Sequence, residues 1–335
     1  MKILVTGGAG FIGRWVVLQL LQAGHQVWTI DDLSNGSEGN LAFSNAELAP
    51  LKPAEAMGRL TYRRGDIRDR ALLAAWFAEH RFPLCYHLAA EINVQKSIDH
   101  PQDTFSRDVE GTFGLLELCR VYGTRFVFMS TCMVYSPAPE TGGIDEGHPV
   151  LPASPYAGAK LSGEHLAISY YHAYGLPVTV IRPFNTYGPC QKTNGEGGVV
   201  AIFVERALRG EPLHIFGDGT QTRDLLYVED CARFVIQAGI DEAAVGQLLN
   251  AGSGREIAVR DLASLIGEVT GAGEGFSVDC VAHPHPQSEI RRLLCDYTKA
   301  ETLLGWRPRL SLEEGIARTA AWLKAVKPEL RGGER

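Results

Sequence analysis

The stretch "KILVTGGAGFIG", residues 2 to 13, constrains the fold more than any other part of the chain. An apolar run of strand length breaks into glycines and then into the pattern of a helix expected from Phe11 to Ala23. Gly7, Gly10 and Gly13 stand at the spacing that permits a tight turn, close approach of a pyrophosphate, and close packing of helix on strand. The free N–H groups of the helix start, with Phe11 and Ile12 in its first turn, offer partial positive charge to phosphates. A glycine pattern alone is weak evidence, but the second strand, "QVWTID", ends in Asp31, with Asp32 next to it. A carboxylate there accepts hydrogen bonds from both ribose hydroxyls and repels a 2′-phosphate, which selects NAD over NADP. A P-loop is excluded, because no Gly-Lys-Ser/Thr follows the turn.

Strand-length apolar runs and helical patterns alternate through the first half. After "QVWTID" come a helix near Arg70 to His80, the strand "LCYHLAA", a helix from about Thr104 to Tyr122, "RFVFMST", a helix from about Tyr156 to Tyr174, and "VTVIRPFN". Such βαβ alternation, with strands apolar on both faces, predicts an α/β fold: a Rossmann-type, doubly wound parallel sheet with helices on each side. Ligands of such sheets bind beyond the C-terminal ends of the strands. Asp66 and Ile67, after "LTYRRG", are placed at the end of the third strand beside the adenine, and Leu88, Ala89 and Ala90 at the end of the fourth.

After Asn185 the rhythm changes to the Gly-rich "KTNGEGGVV", around Gly195 to Val200, a helix at Ala201 to Arg209, the short strand "LHIFG" and the loop "HPHPQ". "LLYVEDCARFVIQAG" reads as a helix returning to the main sheet, which makes the second lobe discontinuous. The expected division is residues 1–184, with a return segment at about 225–250, for the NAD-binding domain. Residues 185–224 and 251–330 form a smaller, mixed α/β substrate lobe.

Composition narrows the partners. With 335 residues, 45% hydrophobic and 21% charged, the chain can build one large or two smaller cores. A formal charge of -7 opposes binding to nucleic acid or a membrane surface, which needs a basic face, so neither is expected. Seven cysteines, odd in number and without C-x-x-C, make neither a disulfide framework nor a zinc site and suit a reducing compartment. Cys85, Cys119, Cys231 and Cys295 lie within or beside apolar runs and read as buried hydrophobes. His283 and His285 sit among prolines without a nearby acidic pair, so no metal is expected. The chain opens directly on a strand, and no apolar run approaches the roughly 18 residues of a membrane span. A cytoplasmic protein is the expectation.

Tyr156 and Lys160 are at i and i+4 on a predicted helix, so they share a face. An ammonium beside a phenol stabilises the phenolate, and the positive nicotinamide ring of NAD+ does so again, which together draw a pKa of about 10 toward neutrality. A tyrosine so tuned takes a proton from a sugar hydroxyl while hydride leaves the same carbon for nicotinamide. Thr131, just past a strand end, is placed to orient that oxygen.

With "GGAGFIG", "HLAA", "SPYAGAK", "RPFNTYGP", "GDGTQTRDLLYVED" and "DYTKAETLLGWRP" all present, nearly the whole chain resembles one family. These are the extended short-chain dehydrogenase/reductases acting on nucleotide sugars, the UDP-galactose 4-epimerases and nucleotide-sugar 4,6-dehydratases. The resemblance implies a nucleotide-diphosphate sugar as substrate and Thr131, Tyr156 and Lys160 as the catalytic triad. It implies that Asn185 and Arg223 contact the diphosphate, with Arg292 a second cationic clamp, and that Val199, His214 to Phe216 and Val228 border the base. Glu91, in "AAEINVQKSIDHP", is expected to reach the sugar, with Lys96 an unusual neighbour. A homodimer built on the helices near 104–122 and 156–174 is expected as well.

One stretch departs from the dehydratase pattern. In the dehydratases that the chain resembles, the two residues after the threonine are an Asp and a Glu, and the Glu removes the C5 proton of the 4-keto sugar. Here "STCMVY" puts Cys132 and Met133 there, and a thioether cannot be a base. What remains is the simplest cycle: C4 is oxidised, the keto sugar turns over within the site, and hydride returns to the other face. That is a 4-epimerase. The alternative is a dehydratase or 3,5-epimerase-like enzyme in which Cys132, its pKa of about 8.5 lowered by a nearby cation, serves as acid and base. The 3,5-epimerases of the superfamily use a cysteine, aligned with Met133 rather than Cys132.

Overall fold

The computed structural model describes residues 1–193, 198–272, 277–283 and 286–331. Its first half supplies β1 (Lys2–Thr6), β2 (Gln26–Asp31), β3 (Leu60–Arg64), β4 (Leu84–His87), β5 (Arg125–Met129) and β6 (Val178–Pro183). The second half adds β7 (Asn185–Tyr187), β8 (Leu213–Phe216), β9 (Thr222–Tyr227), β10 (Leu248–Ala251), β11 (Glu256–Ala258) and β12 (Val278–Val281). The main sheet runs β10-β6-β5-β4-β1-β2-β3 with every neighbouring pair parallel. β1, β4, β5 and β6 are buried along nearly their whole length, as strands covered on both faces must be. Strand order reverses about β1, and Thr6 pairs level with both Ile30 and His87. The glycine turn, Asp31 and the residues after β4 therefore meet at one crevice.

Helices cover both faces. On one, Phe11–Gln22 packs along Val228–Ile240 over Ile3, Val5, Val16, Leu20, Phe234 and Val235. On the other, Arg70–His80, Gly111–Tyr122 and Pro155–Tyr174 bury Leu4, Phe77, Leu115, Phe126, Phe128 and Ala167. Each of the larger of these side chains, the Val, Leu, Ile and Phe, contributes roughly 1.5–3 kcal/mol by leaving water. β7, β9 and β11 form a second sheet and β8 with β12 a third. Around these, the helices Val199–Arg209, Val259–Thr270 and Leu312–Val326 close a core that includes Val204, Leu213, Leu225, Leu262, Ile266 and Ile316.

Several elements differ from the sequence reading. "LLYVEDCARFVIQAG" is not one helix: Leu225, Leu226 and Tyr227 finish β9, and the helix is Val228–Ile240. Both halves of that run are largely buried, so apolar periodicity marks no boundary. The helix does return to the main sheet, and the chain after it adds the unforeseen edge strand β10. The helix expected from Thr104 begins with Pro101–Phe105, then passes through a π turn, Ser106–Glu110, before Gly111–Tyr122.

Cys85, Cys119, Cys231 and Cys295 are buried. Among the described residues no helix is long and apolar enough to cross a membrane, and no group of three or more His, Cys, Asp or Glu could hold a metal. Gly195 of the Gly-rich segment and His285 lie outside the described residues.

Candidate active site

A cleft of about 820 Å³ lies across the C-terminal ends of the strands. Its floor is the glycine turn. Gly7 adopts φ +74°, and a Cβ on it would stand 2.7 Å from the Ala89 nitrogen. A Cβ on Gly13 would stand 2.0 Å from the Gly7 carbonyl oxygen, so helix and turn touch backbone to backbone. Gly10 caps the helix without a side chain, which leaves the first-turn N–H groups unshared by any capping oxygen. Gly13→Ala is expected to push the helix off the turn and abolish cofactor retention; a purified variant that still carries its dinucleotide would contradict this.

Asp31 is almost fully buried at the cleft wall. Its Oδ2 accepts from Ala9 N at 3.0 Å and its Oδ1 from Leu33 N at 2.8 Å. Burial raises its pKa, and the N–H groups of Leu33 and Ala9 oppose the rise. Held this way it fits a ribose diol. Asp32 also lines the cleft but is bound to Arg107 at 2.8 Å. Phe11, Ile12, Asp66, Ile67, Leu88, Ala89 and Ala90 complete this end. Glycines that no side chain could replace, a bare helix start and a fixed carboxylate suit a dinucleotide.

The other end holds the reacting groups. The Ser154 hydroxyl accepts from Ala157 N at 3.2 Å and starts the helix Pro155–Tyr174, which presents Tyr156 and Lys160 one turn apart. Thr131 follows β5, and its hydroxyl accepts from Met133 N at 3.2 Å, capping a short turn over Cys132–Val134. That hydroxyl also lowers the pKa of the neighbouring Tyr156 phenol. Lys160 is buried, donates to the Met129 carbonyl at 2.8 Å and lies 5.2 Å from the centre of the Phe128 ring.

The electrostatics differ from expectation. Burial pushes the Tyr156 phenol well above its usual pKa; the Thr131 hydroxyl opposes this, and the charge of Asp108 adds to it. The Lys160 ammonium, itself pushed down by burial, is turned to a carbonyl and faces Asp108 and Glu164, so it does not bring the phenol toward neutrality in the protein alone. Cys132 also differs. Its thiol is buried, lies 3.8 Å from Asn185 Oδ1, and is pushed up to about 12 by burial, with Arg223 only partly opposing.

Asn185, Val199, His214, Phe216 and Arg223 line the far end of the cleft, as does Met133 nearer the centre. Arg223 is ion-paired to Glu289 and donates to the carbonyls of Thr222 at 2.8 Å and Ile290 at 2.9 Å. Three predicted residues are elsewhere. Arg292 is outside the cleft lining: Glu256 holds its Nε at 3.0 Å and its terminal nitrogen at 2.6 Å, and the Gly142 carbonyl accepts at 3.1 Å. Glu91 is buried outside the lining, its carboxylate bound by Lys96 and by Asn35 at 3.3 Å. Val228 is fully buried in the core. Conversely, Arg206 and Lys192 line the cleft without having been singled out. Arg206 was accessible to reasoning, because it stands two helical turns after Val199 on one face.

The family model described as GDP-mannose 4,6 dehydratase matches residues 4–319. The UDP-glucose 4-epimerase of Mycolicibacterium smegmatis is 39% identical over 326 residues, 97% of this chain and 99% of that protein. Among solved structures, Pal from Bacillus thuringiensis superposes with a TM-score of 0.90 at 54% identity, over 98% of this chain and 100% of that one. The UDP-glucose 4-epimerase of Thermus thermophilus, solved as a complex with NAD, superposes with a TM-score of 0.84 at 32% identity, over 99% and 100% of the two chains. The glycine turn, the Tyr156/Lys160 helix and the cleft all fall within the matched span, and the chain belongs to the GDP-mannose 4,6 dehydratase family, alongside nucleotide-sugar epimerases.

Proposed function

We propose that the protein is an NAD-dependent nucleotide-sugar 4-epimerase that works through a transient 4-keto sugar. The observation carrying this reading is the pair after Thr131. Met133 has no proton to exchange, and the Cys132 thiol is pushed up to about 12, so neither is a ready base for the carbon next to a ketone. Tyr156 and Thr131, both lining the cleft, suffice for a cycle whose one proton leaves and returns at the C4 oxygen.

In this reading Gly10 and the helix start hold the pyrophosphate of NAD, and Asp31 accepts from its ribose hydroxyls. Bound NAD supplies the hydride acceptor and donor, and its charged ring favours the Tyr156 phenolate. Thr131 orients the C4 hydroxyl and Tyr156 takes its proton. Arg223, Arg206 and Asn185 face the diphosphate, and Val199, His214 and Phe216 the base. Two copies pair through the helices Gly111–Tyr122 and Pro155–Tyr174, whose exposed Phe113, Val121, Ile168 and Tyr174 support such a contact.

The deciding experiment incubates the protein in D2O with UDP-, dTDP- and GDP-hexoses and reads the products by proton NMR and mass. An isomer with no deuterium on carbon is expected. Deuterium at C3 or C5, or loss of water, transfers the assignment to the alternative, a dehydratase or 3,5-epimerase-like enzyme with Cys132 as acid and base. Cys132→Ser is correspondingly expected to be mild. A fall in turnover of about 100-fold or more, the worth of a general acid–base catalyst, would make the thiol a participant.

A further inference from the structure

The helix that carries Tyr156 and Lys160 is held at its start by a hydroxyl from another part of the chain. The N–H groups of a helix's first turn have no acceptor within the helix. In Pro155–Tyr174 the proline has no N–H, and Ala157 N donates to the Ser154 hydroxyl at 3.2 Å. Tyr156 N is left over by the helix and by its own cap. It donates instead to Ser97 Oγ at 3.2 Å, a contact between residues 59 apart in the chain. Ser97 is fully buried, so water does not compete for that amide. Its hydroxyl has both roles filled: the proton goes to the Val94 carbonyl at 2.6 Å, and the oxygen accepts from Tyr156.

Ser97 is itself held from several sides. It lies in the short helix Val94–Asp99, where the Asn93 side chain accepts from Lys96 N at 2.6 Å and the Asn93 carbonyl from Ser97 N at 3.0 Å. Asn93 N donates to Glu91 Oε1 at 3.2 Å, and Glu91 N to Oδ1 of Asp108, in the π turn Ser106–Glu110, at 2.8 Å. Glu91 is fixed in turn by Lys96 and by Asn35. Ile92, Val94 and Asn35 line the cleft. One segment therefore builds part of the cleft wall and receives the backbone of the tyrosine that faces it. A tilt of the first helical turn moves the far end of a tyrosine more than it moves the backbone. Proton transfer tolerates little of this, since the two oxygens must come within roughly 2.6–3.2 Å.

We propose that Ser97 is a positioning residue that acts through the Tyr156 backbone: its hydroxyl fixes the first turn of the helix against the cleft wall and so sets where the phenol stands. Ser97 is not part of the cleft lining and touches no reacting atom. The catalytic consequence rests on the reading of Tyr156 as proton acceptor; the hydrogen bond itself does not.

The test uses full-length protein with NAD bound and with nitrogen-labelled tyrosine and alanine. The Tyr156 amide is assigned by its loss in Tyr156→Phe. Carbonyl labelling of tyrosine picks out the Ala157 amide, because the sequence has one Tyr-Ala junction. In Ser97→Ala the Tyr156 amide is expected to exchange with deuterium about fivefold or more faster than in the wild type, the worth of one hydrogen bond, while Ala157 keeps its rate. Turnover per bound NAD should fall about tenfold or more with KM unchanged. On a Tyr156→Phe background Ser97→Ala should change the residual turnover by less than about twofold, since no phenol is left to position. An unchanged Tyr156 exchange rate overturns the hydrogen bond. Faster exchange with turnover within about threefold of the wild type, or the full loss repeated in Tyr156→Phe, overturns the role in the reaction. If Tyr156→Phe itself turns over as fast as the wild type, the epimerase reading fails while the amide still judges the hydrogen bond. Should Ser97→Ala not fold, Ser97→Cys decides: the thiol is a weaker acceptor in the same place, so the Tyr156 amide must exchange faster, and no change overturns the bond.

Discussion

Tyr156→Phe is expected to lower turnover by about 100-fold or more, the usual worth of a general acid–base group, while NAD stays bound. Phenylalanine keeps the ring in its buried place between helix and strand and deletes only the phenol oxygen. Burial already favours the uncharged phenol, so the substitution should cost little stability. The proposed cofactor contacts, the glycine turn and Asp31, lie on different elements and should survive. The sign of the pH dependence follows. A phenol whose pKa is raised is protonated near neutrality, so activity carried by its ionised form rises with pH, and the variant's residual activity should lose that dependence. Single-turnover absorbance of the bound nicotinamide, with the released cofactor quantified separately, checks both halves. Turnover within about tenfold of the wild type would remove Tyr156 from proton transfer.

The second large effect is on stability. Glu164→Gln should cost about 3–5 kcal/mol, because it leaves the Arg182 guanidinium charged, buried and facing an amide. The pair is nearly sealed from water, with side-chain exposures of 5% for Arg182 and 2% for Glu164. It joins the helix Pro155–Tyr174 to β6, and the guanidinium lies 4.5 Å from the centre of the Tyr135 ring. Tyr135 continues the contact to Asn250 Oδ1 at 2.8 Å, which connects it to edge strand β10. Tyr156, Lys160 and Glu164 recur at i, i+4 and i+8, so the ion pair and the catalytic candidates form one stripe on the helix. A lowered urea midpoint with an unchanged slope is the expected signature. Arg182→Met added to Glu164→Gln should recover part of the loss, since no buried guanidinium then lacks its counter-ion. A Glu164→Gln protein as stable as the wild type would show that the pair contributes nothing.

Where the sequence reading succeeded, the information was local. The glycine turn, the strand that leads into it and Asp31 are decided by φ freedom, apolar run length and the level ends of neighbouring strands. Tyr156 and Lys160 needed only the helical period. Where the structure adds to it, a residue's surroundings depend on partners brought in by the fold. Arg292 looks like a phosphate clamp until Glu256 and the Gly142 carbonyl are brought to it. Glu91 looks like a sugar ligand until Lys96 and Asn35 turn it inward. β10 is too short to be recognised without β6 beside it, and the π turn that aims Asp108 carries no signal in composition.

The sequence by itself therefore determined the parallel sheet, the dinucleotide turn and the identities of the groups around it, since these follow from backbone geometry and spacing. Tertiary structure alone decided which of those groups face the cleft and which carry charge. Ionisation depends on burial and on neighbours from other segments: the Cys132 thiol, the Tyr156 phenol and the Asp108 carboxyl are all shifted first by the water they have lost.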